Sequence, residues 1–562
     1  MKIIPRLLPL ALVPLIACAS NKPTKATTVR YANQPIVTRV ADKQNTPKIP
    51  AERLYLMVFY QFDGSFYSRV MRGLSLPRPQ RAQGINALDE VPDSTWFTNR
   101  ITKEKLTPEE VHAGPAVSGN PEEHLPWTVV STKTGGVTPG LVIKDARGYT
   151  YLLKFDLDGL PETETAAAVI ANRLVWAAGF NVPEDYVVKV NRSDIRLVAS
   201  STYKDLNKKR PMRPEDLQRI YDLIVMGPNG EIRGMASRIV EGKALGGHPD
   251  RGVRRDDPND VIPHELRRDL RGLYAMFAWI DQTDVKESNT LDVWIPNPAN
   301  PKDHYVKHYH VDFGSAFGAM AAGKRDQRRG YVYAFDPVAS LTTFLSVGTN
   351  ERVWEDRTRP TLTGVGLYEA HNFDPGKWRT YTPSYLPLLV ADRIDNYWAT
   401  KIIMSFTPQQ IRAAVKAGRL SDPIAEEYLA QQIILRQRAT GQYWFSQVNP
   451  LDRFRVMQGN EGVYVCFDDL MLTNHLVESA ANTRYHMVTA NRYDQEISQP
   501  FSIRAQPNGH NCTSPLTVAP GGDRYTILKL TTRGRGKPLS THVHLARNPT
   551  NGQFRVIGVY RK

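Results

Sequence analysis

Residues 281–318 read DQTDVKESNTLDVWIPNPANPKDHYVKHYHVDFGSAFG, and the organisation of the chain follows from how this stretch folds back on itself. Thr290 to Ile295 reads as a strand, Pro296 to Asp303 as a turn rich in Pro, Asn and Asp, and Tyr305 to Phe313 as a returning strand of β-branched and aromatic residues. Such a hairpin sets Asn289 beside Asp312. Two neighbouring oxygen-bearing side chains can share a hard cation such as Mg²⁺, which binds phosphate oxygens with its remaining positions. Asp284 precedes the pair, free to orient a hydroxyl.

Upstream, Thr128–Lys133, Leu141–Lys144 and Tyr149–Asp156 read as three strands joined by turns, the first of them a glycine-rich run from Thr134 through Gly135 and Gly136 to Gly140. Glycine lets backbone N–H groups approach an anion closely. No Gly-Lys-Ser/Thr follows, so this is not a Walker loop. The third strand ends in Leu152-Leu153-Lys154-Phe155, and a helix is expected from about Glu162 to Ala178, closed by Gly179. Lys154 sits among apolar residues, where an ammonium needs an anionic partner. Glu164, at the start of the helix, can supply one, with Glu162 as its rival. Taken singly, these residues read as a strand-end lysine and helix-start glutamates favoured by the dipole.

Taken in order, the motifs resemble the catalytic centre of the protein-kinase-like fold in an atypical form. His310-Val311-Asp312-Phe313-Gly314 resembles the metal-binding motif of the phosphatidylinositol 3-kinase group, and Asp284-x-Lys286-x-x-Asn289 resembles the catalytic loop of HipA-type kinases. No His-Arg-Asp precedes the loop. The resemblance covers about Trp127 to Phe445 and rests on short motifs in the right order. It implies an α+β fold with a bilobal kinase-like domain, a small β-rich lobe and a large helical lobe; beyond it, short β-prone runs between Asn, Gly and Pro turns from Leu451 onward read as a small all-β domain. It also implies ATP and Mg²⁺ (or Mn²⁺) as cofactors. Lys154 would bind phosphates with Glu164 holding it, Gly135, Gly136 and Gly140 would cover them, Asp284 would orient the acceptor hydroxyl, and Asn289 and Asp312 would hold the metal. The expected activity is phosphate transfer to an unidentified protein, lipid or glycan. Nucleotidyl transfer by the same metal site, and ligand binding by a non-catalytic scaffold, are the alternatives.

The first residues bear on location. Lys2 and Arg6 precede an apolar run, Leu7 to Ala17, too short to span a bilayer, and Leu15-Ile16-Ala17-Cys18 resembles a bacterial lipoprotein cleavage box. That resemblance implies lipid attachment at Cys18 and anchoring in the cell envelope, at the outer membrane facing the periplasm or exterior, since Ala19 and not Asp follows. ATP is normally scarce there, which keeps the scaffold alternative in play. With 562 residues, 41% hydrophobic and 9% aromatic, the chain has the composition of a folded protein of more than one domain. A net charge of +15 favours anionic neighbours. Without a helix-turn-helix, zinc-finger or RNA-binding aromatic motif, however, nucleic acid is not an expected partner. The chain also lacks an HExxH zinc helix and a GxSxG elbow.

The expected divisions are a signal over 1–18, a flexible tether over 19–50, an N-terminal wrapping segment over 51–126, the kinase-like domain over 127–449 and a β-rich domain over 450–562. The segment after Val190 reads as basic and helical. Gly246 to Asp260 reads as a solvated loop with ion pairs, although Asp256, Asp257, Asp260 and His264 have metal-ligand chemistry. Helices are expected over 392–404, 407–417 and 423–440. In the last domain His542 and His544 share one strand face and read as surface residues. Cys466 and Cys512 either pair or stay as two buried thiols.

Overall fold

The computed structural model describes residues 29–53, 63–67, 80–134, 138–205, 208–319, 327–347, 349, 352–355 and 362–562. Cys18 with its signal-like segment, and Gly135 and Gly136, lie outside these. The chain is mixed α+β, with a β-rich part, a helical part and a small all-β C-terminal part.

Strands β1 (Trp127–Thr132), β2 (Gly140–Lys144) and β3 (Thr150–Phe155) form an antiparallel meander, followed by helix α1 (Thr163–Ala178) and strand β4 (Asp185–Asn191). With β5 (Ile195–Arg196), β6 (Thr202–Asp205), β7 (Lys208–Pro211) and β8 (Glu231–Arg238) they make one sheet of order β4-β8-β3-β2-β1-β6-β7, with β5 also on β1. Alternate positions of β1, β2 and β3, among them Trp127, Leu141, Ile143, Tyr151 and Leu153, are buried in one apolar cluster. The region expected to be a basic helix contains the β6–β7 hairpin before a short helix, Pro214–Tyr221. Tyr203 and Arg210 face each other across that hairpin, the guanidinium 4.3 Å from the ring centroid. Cross-strand pairing of this kind outweighs local helical propensity.

The hairpin read at 290–313 is present as β10 (Thr290–Asn297) and β11 (Asn300–His310), with β9 (Lys243–Ala244) on the other side of β10. Its turn is tighter than expected, because the ladder runs on to Pro296↔His304 and Asn297↔Asn300. Pro296 is tolerated there because β9 pairs only with Val293 and Trp294, which leaves β10 an edge strand at the proline.

Helix α2 (Arg268–Ile280) leads into the hairpin and packs with α3 (Arg393–Ile403) and α5 (Pro423–Gln447), and α4 (Pro408–Lys416) packs on α5. These last three helices have strong local start signals. Asp392, Thr407 and Asp422 each accept a hydrogen bond from a backbone N–H of the first turn, and Pro408 and Pro423 stand inside it. Their core contains Trp279, Trp398 and Phe406, and also Trp96 and Phe97 from the segment expected to wrap the surface. Phe97 is fully buried, worth roughly 1.5–3 kcal/mol, so that segment is part of the core.

From residue 29 the expected flexible tether is laid against the body. Tyr31 donates from its hydroxyl to the Val559 carbonyl at 2.8 Å, the Asp42 carboxylate accepts from Thr95, and just past the expected tether Arg53 pairs with Glu287 at 2.9 Å. Among the described residues no helix is long and apolar enough to cross a membrane.

The C-terminal strands are β12 (Leu451–Gly459), β13 (Gly462–Asp469), β14 (Arg484–Asn491), β15 (Phe501–Arg504), β16 (His510–Cys512), β17 (Thr526–Arg533), β18 (Leu539–Arg547) and β19 (Phe554–Arg561). A three-stranded sheet, β12-β13-β16, faces a five-stranded one, β15-β14-β17-β18-β19, across a core that includes Phe467, Tyr485, Leu528 and Val543. Cys466 and Cys512 stand opposite each other on β13 and β16 and form a disulfide. His542 and His544, read as surface residues, are buried. The Tyr525 hydroxyl lies 2.9 Å from His544 Nδ1.

Candidate active site

The open end of the β10–β11 hairpin meets the edge of the β1–β3 meander, and the predicted residues divide between the two. Lys154, on β3, points its Nζ at Asp312 Oδ1 at 2.6 Å, across 158 residues of chain. Lys154 is 6% exposed, whereas the Asp312 side chain remains 44% exposed. Burial opposes the Lys154 charge, but Asp312 and then Glu164 outweigh it and hold its pKa above the usual lysine value. Burial likewise opposes ionisation of Asp312. Lys154, with Lys286 and Lys133 beyond it, holds the carboxyl below its usual range.

Glu164 is placed by Asp156, which follows β3 and accepts hydrogen bonds from the backbone N–H groups of Glu164 and Thr165, capping α1 from outside the helix. Its carboxylate accepts from Thr138 Oγ1 at 3.0 Å and lies so close to Gly314 that a Cβ there would come within 2.7 Å of Glu164 Cγ. Burial pushes the Glu164 carboxyl up to about 7, against the pull of Lys154. The expected direct Lys154–Glu164 ion pair is therefore replaced by Lys154–Asp312, with Glu164 acting on the lysine through space. Glu162, the rival partner, is turned away and accepts from the Ser421 N–H at 2.8 Å.

Asp284 receives Lys286 Nζ on both oxygens, at 2.9 and 2.8 Å. Asn289 Nδ2 donates to the Asp284 carbonyl at 2.8 Å and to its Oδ2 at 3.1 Å. With the amide nitrogen so engaged, the Asn289 amide oxygen is the atom left for a cation. The hairpin end is closed by the Val311 N–H, which donates to the Asn289 carbonyl at 3.0 Å. Gln282, fully covered, donates from Nε2 to the carbonyls of both Asp284 and Asp312, at 3.3 and 3.1 Å, and so ties the two loops together. Asp312 itself has φ +65°, a left-handed conformation that Asp and Asn adopt more readily than other residues with a Cβ.

Gly140 stands opposite Lys154 in the β2–β3 register, and a Cβ there would come within 2.4 Å of the Leu153 carbonyl. Close packing of two strands accounts for that glycine without a phosphate. Lys133 directly follows β1. Its Nζ donates to the Thr138 carbonyl at 2.8 Å, and burial, with the Lys154 charge second, lowers its pKa. Lys133 and Gln282 are thus site residues that the motifs did not single out. The available signals were weak: a lysine beside a glycine-rich turn, and a glutamine at the end of an apolar helix.

The donor set suits a divalent cation beside phosphates: an exposed carboxylate on Asp312, an amide oxygen on Asn289 and lysines for anionic oxygens. No protein-family model matches the chain, and comparisons with curated proteins and with solved structures likewise return no match.

Behind the site, Asp185 on β4 is 3% exposed, and burial lifts its carboxyl to about 6 against a Ser237 hydrogen bond and the charge of Arg173. A raised folded-state pKa means that the native chain holds this proton more tightly than the unfolded one. Stability is therefore lost as pH rises from about 4 to 6, by about 3 kcal/mol from this group. Denaturant unfolding across that range should show Asp185→Asn with a flatter pH profile than wild type. An unchanged slope would mean that Asp185 is ionised at little cost.

Proposed function

We propose that the chain is an atypical kinase-like phosphotransferase, lipid-anchored through Cys18 in the bacterial envelope, that uses ATP and Mg²⁺ or Mn²⁺ to phosphorylate a hydroxyl acceptor. The observation that carries this reading is the 2.6 Å contact between Lys154 and Asp312, which joins the meander to the hairpin end where Asp284 and Asn289 are already bonded to each other. Support also comes from the mixed α+β organisation, in which α1 packs on a β-rich sheet and a largely helical part follows.

In this reading Lys154 binds phosphate oxygens while Glu164 keeps its ammonium from wandering. Asp312 and the Asn289 amide oxygen would hold the cation, which neutralises charge developing on the transferred group. Asp284 accepts a hydrogen bond from the acceptor hydroxyl and orients it for in-line attack on the γ-phosphorus. As the new P–O bond forms and the bond to the β–γ bridging oxygen breaks, the hydroxyl proton passes to an Asp284 oxygen. Lys286, bonded to both of those oxygens, fixes the direction in which the Asp284 carboxylate faces the acceptor.

Incubating the full-length chain with Mg²⁺ and ATP labelled in turn at the γ and α phosphates tests the reading. Transfer of γ label, abolished by Asp284→Asn, is expected. Transfer of α label would instead establish nucleotidyl transfer, and neither binding nor transfer would leave a non-catalytic scaffold.

A further inference from the structure

The β10–β11 hairpin carries, three residues after Asn289 and four before Asp312, a buried constellation that the proposed phosphotransfer does not use. Asp292 and His308 face each other across the ladder, with His308 Nδ1 2.7 Å from Asp292 Oδ1. A third side chain arrives from the loop after β9. The His248 backbone N–H donates to Thr290 Oγ1 at 3.1 Å, and its ring Nδ1 lies 3.5 Å from the same Asp292 oxygen. One donor atom from each of the three lies within 4.8 Å of the other two, and His248 and Asp292 are completely covered, with His308 at 3%.

Two features distinguish this group from a self-contained hydrogen-bonded triad. The contact of His248 Nδ1 with Asp292 is long for a hydrogen bond, and this buried atom has no other partner among the described residues. The three side chains are also held from behind. His248 Nε2 is 2.9 Å from the Tyr385 hydroxyl, Asp292 Oδ2 accepts from Arg254 Nη1 at 3.1 Å, and Trp96 stacks on the His308 ring at 3.5 Å. Metal-ligating imidazoles and carboxylates are oriented by outer contacts of this kind.

We propose that His248, Asp292 and His308 hold one divalent transition-metal ion of the zinc class, at a site separate from the cation of phosphotransfer. Two imidazoles and one carboxylate suit zinc and its neighbours, whereas Mg²⁺ and Ca²⁺ favour oxygen donors throughout. Bonds of about 2.0–2.1 Å at tetrahedral angles set adjacent donors ~3.3 Å apart. The 3.5 Å between His248 and Asp292 is close to that spacing, and His308 needs to draw back slightly, exchanging its contact with Asp292 for the ion. Bound there, the metal clamps the hairpin to the His248 loop and so fixes the end from which Asn289 and Asp312 project. The surrounding loop, read as solvated with ion pairs, has the ion pairs but is largely packed: Arg254 is 3.2 Å from Asp256, His264 Nε2 is 2.7 Å from Asp260 Oδ2, and Arg254, Asp257, Asp260 and His264 are buried while Arg255 and Asp256 are exposed.

The test is titration of the full-length chain, stripped with a chelator, with Co²⁺ as a spectroscopic stand-in for zinc. Visible ligand-field absorption should saturate at one equivalent, be displaced by Zn²⁺, resist excess Mg²⁺, and disappear in His248→Gln. The spectrum should persist in Asp312→Asn, which separates this site from the phosphotransfer cation and makes the outcome independent of the kinase reading. Tyr385→Phe should weaken the affinity 10–100-fold. Absence of saturable absorption in the wild-type chain, which needs no variant to fold, overturns the proposal. So does absorption that survives His248→Gln or is lost in Asp312→Asn.

Discussion

Asp312→Asn is expected to lower γ-phosphoryl transfer by roughly 10³-fold, about 4 kcal/mol of transition-state stabilisation, while leaving the chain folded. Asn is the informative substitution, because Asp312 sits at φ +65°, which Asn tolerates and Ala resists. The bonds that shape the loop run through backbone atoms and survive the change, notably Gln282 Nε2 to the Asp312 carbonyl. What is lost is the carboxylate charge, both for the cation and for Lys154. An unchanged melting temperature together with lost transfer places the effect in chemistry. Activity within tenfold of wild type would remove Asp312 from the mechanism and with it the proposed function.

The second large effect is on stability. Arg561, 1% exposed and next to last in the chain, donates to the Leu451 carbonyl at 2.7 Å and to Asp452 Oδ1 at 2.9 Å, lies 3.5 Å from Asp89 Oδ2, and sits over the Tyr397 ring. Asp452 also pairs with Lys401 at 2.8 Å, and Asp89 with Arg268 at 3.1 Å. The network therefore joins the N-terminal segment, the helical body and the C-terminal sheets. Burial opposes the Asp452 charge, but Lys401 and Arg561 hold its carboxyl down at about 2. Arg561→Ala takes one cation from each of Asp89 and Asp452, leaving them Arg268 and Lys401, and removes the buried bond to the Leu451 carbonyl; it should cost about 3–5 kcal/mol in denaturant unfolding, with the β-domain separating from the body in a transition of its own. A loss under about 1 kcal/mol would mean that water reaches these carboxylates and that apolar contacts alone join the domains.

Much of the candidate site was legible because its signals are local. The spacing of Asp284 and Asn289, the Asp-Phe-Gly after a β-rich run, and Lys154 at a strand end are each contained within a few residues. The partner of Lys154 was not legible. Glu164 and Asp312 are both carboxylates within reach of a lysine, and which one comes to 2.6 Å depends on how α1 and the hairpin end pack. The wrong reading of His542 and His544 has the same origin, since a strand pattern names a face without saying whether another element covers it.

The sequence by itself determined the elements whose causes are short-range. Examples are the meander and hairpin with their turn residues, the helices begun by Asp392, Thr407 and Asp422, and the order of charged motifs along the chain. Only the tertiary structure decided the contacts between residues far apart in sequence: Lys154 with Asp312, Cys466 with Cys512, Tyr31 on the last strand, and His248 against Asp292 and His308. The physical reason is that periodicity, capping and turn chemistry act within a few residues, whereas burial and ion pairing are settled by whichever surfaces exclude water together, and no local pattern records that choice.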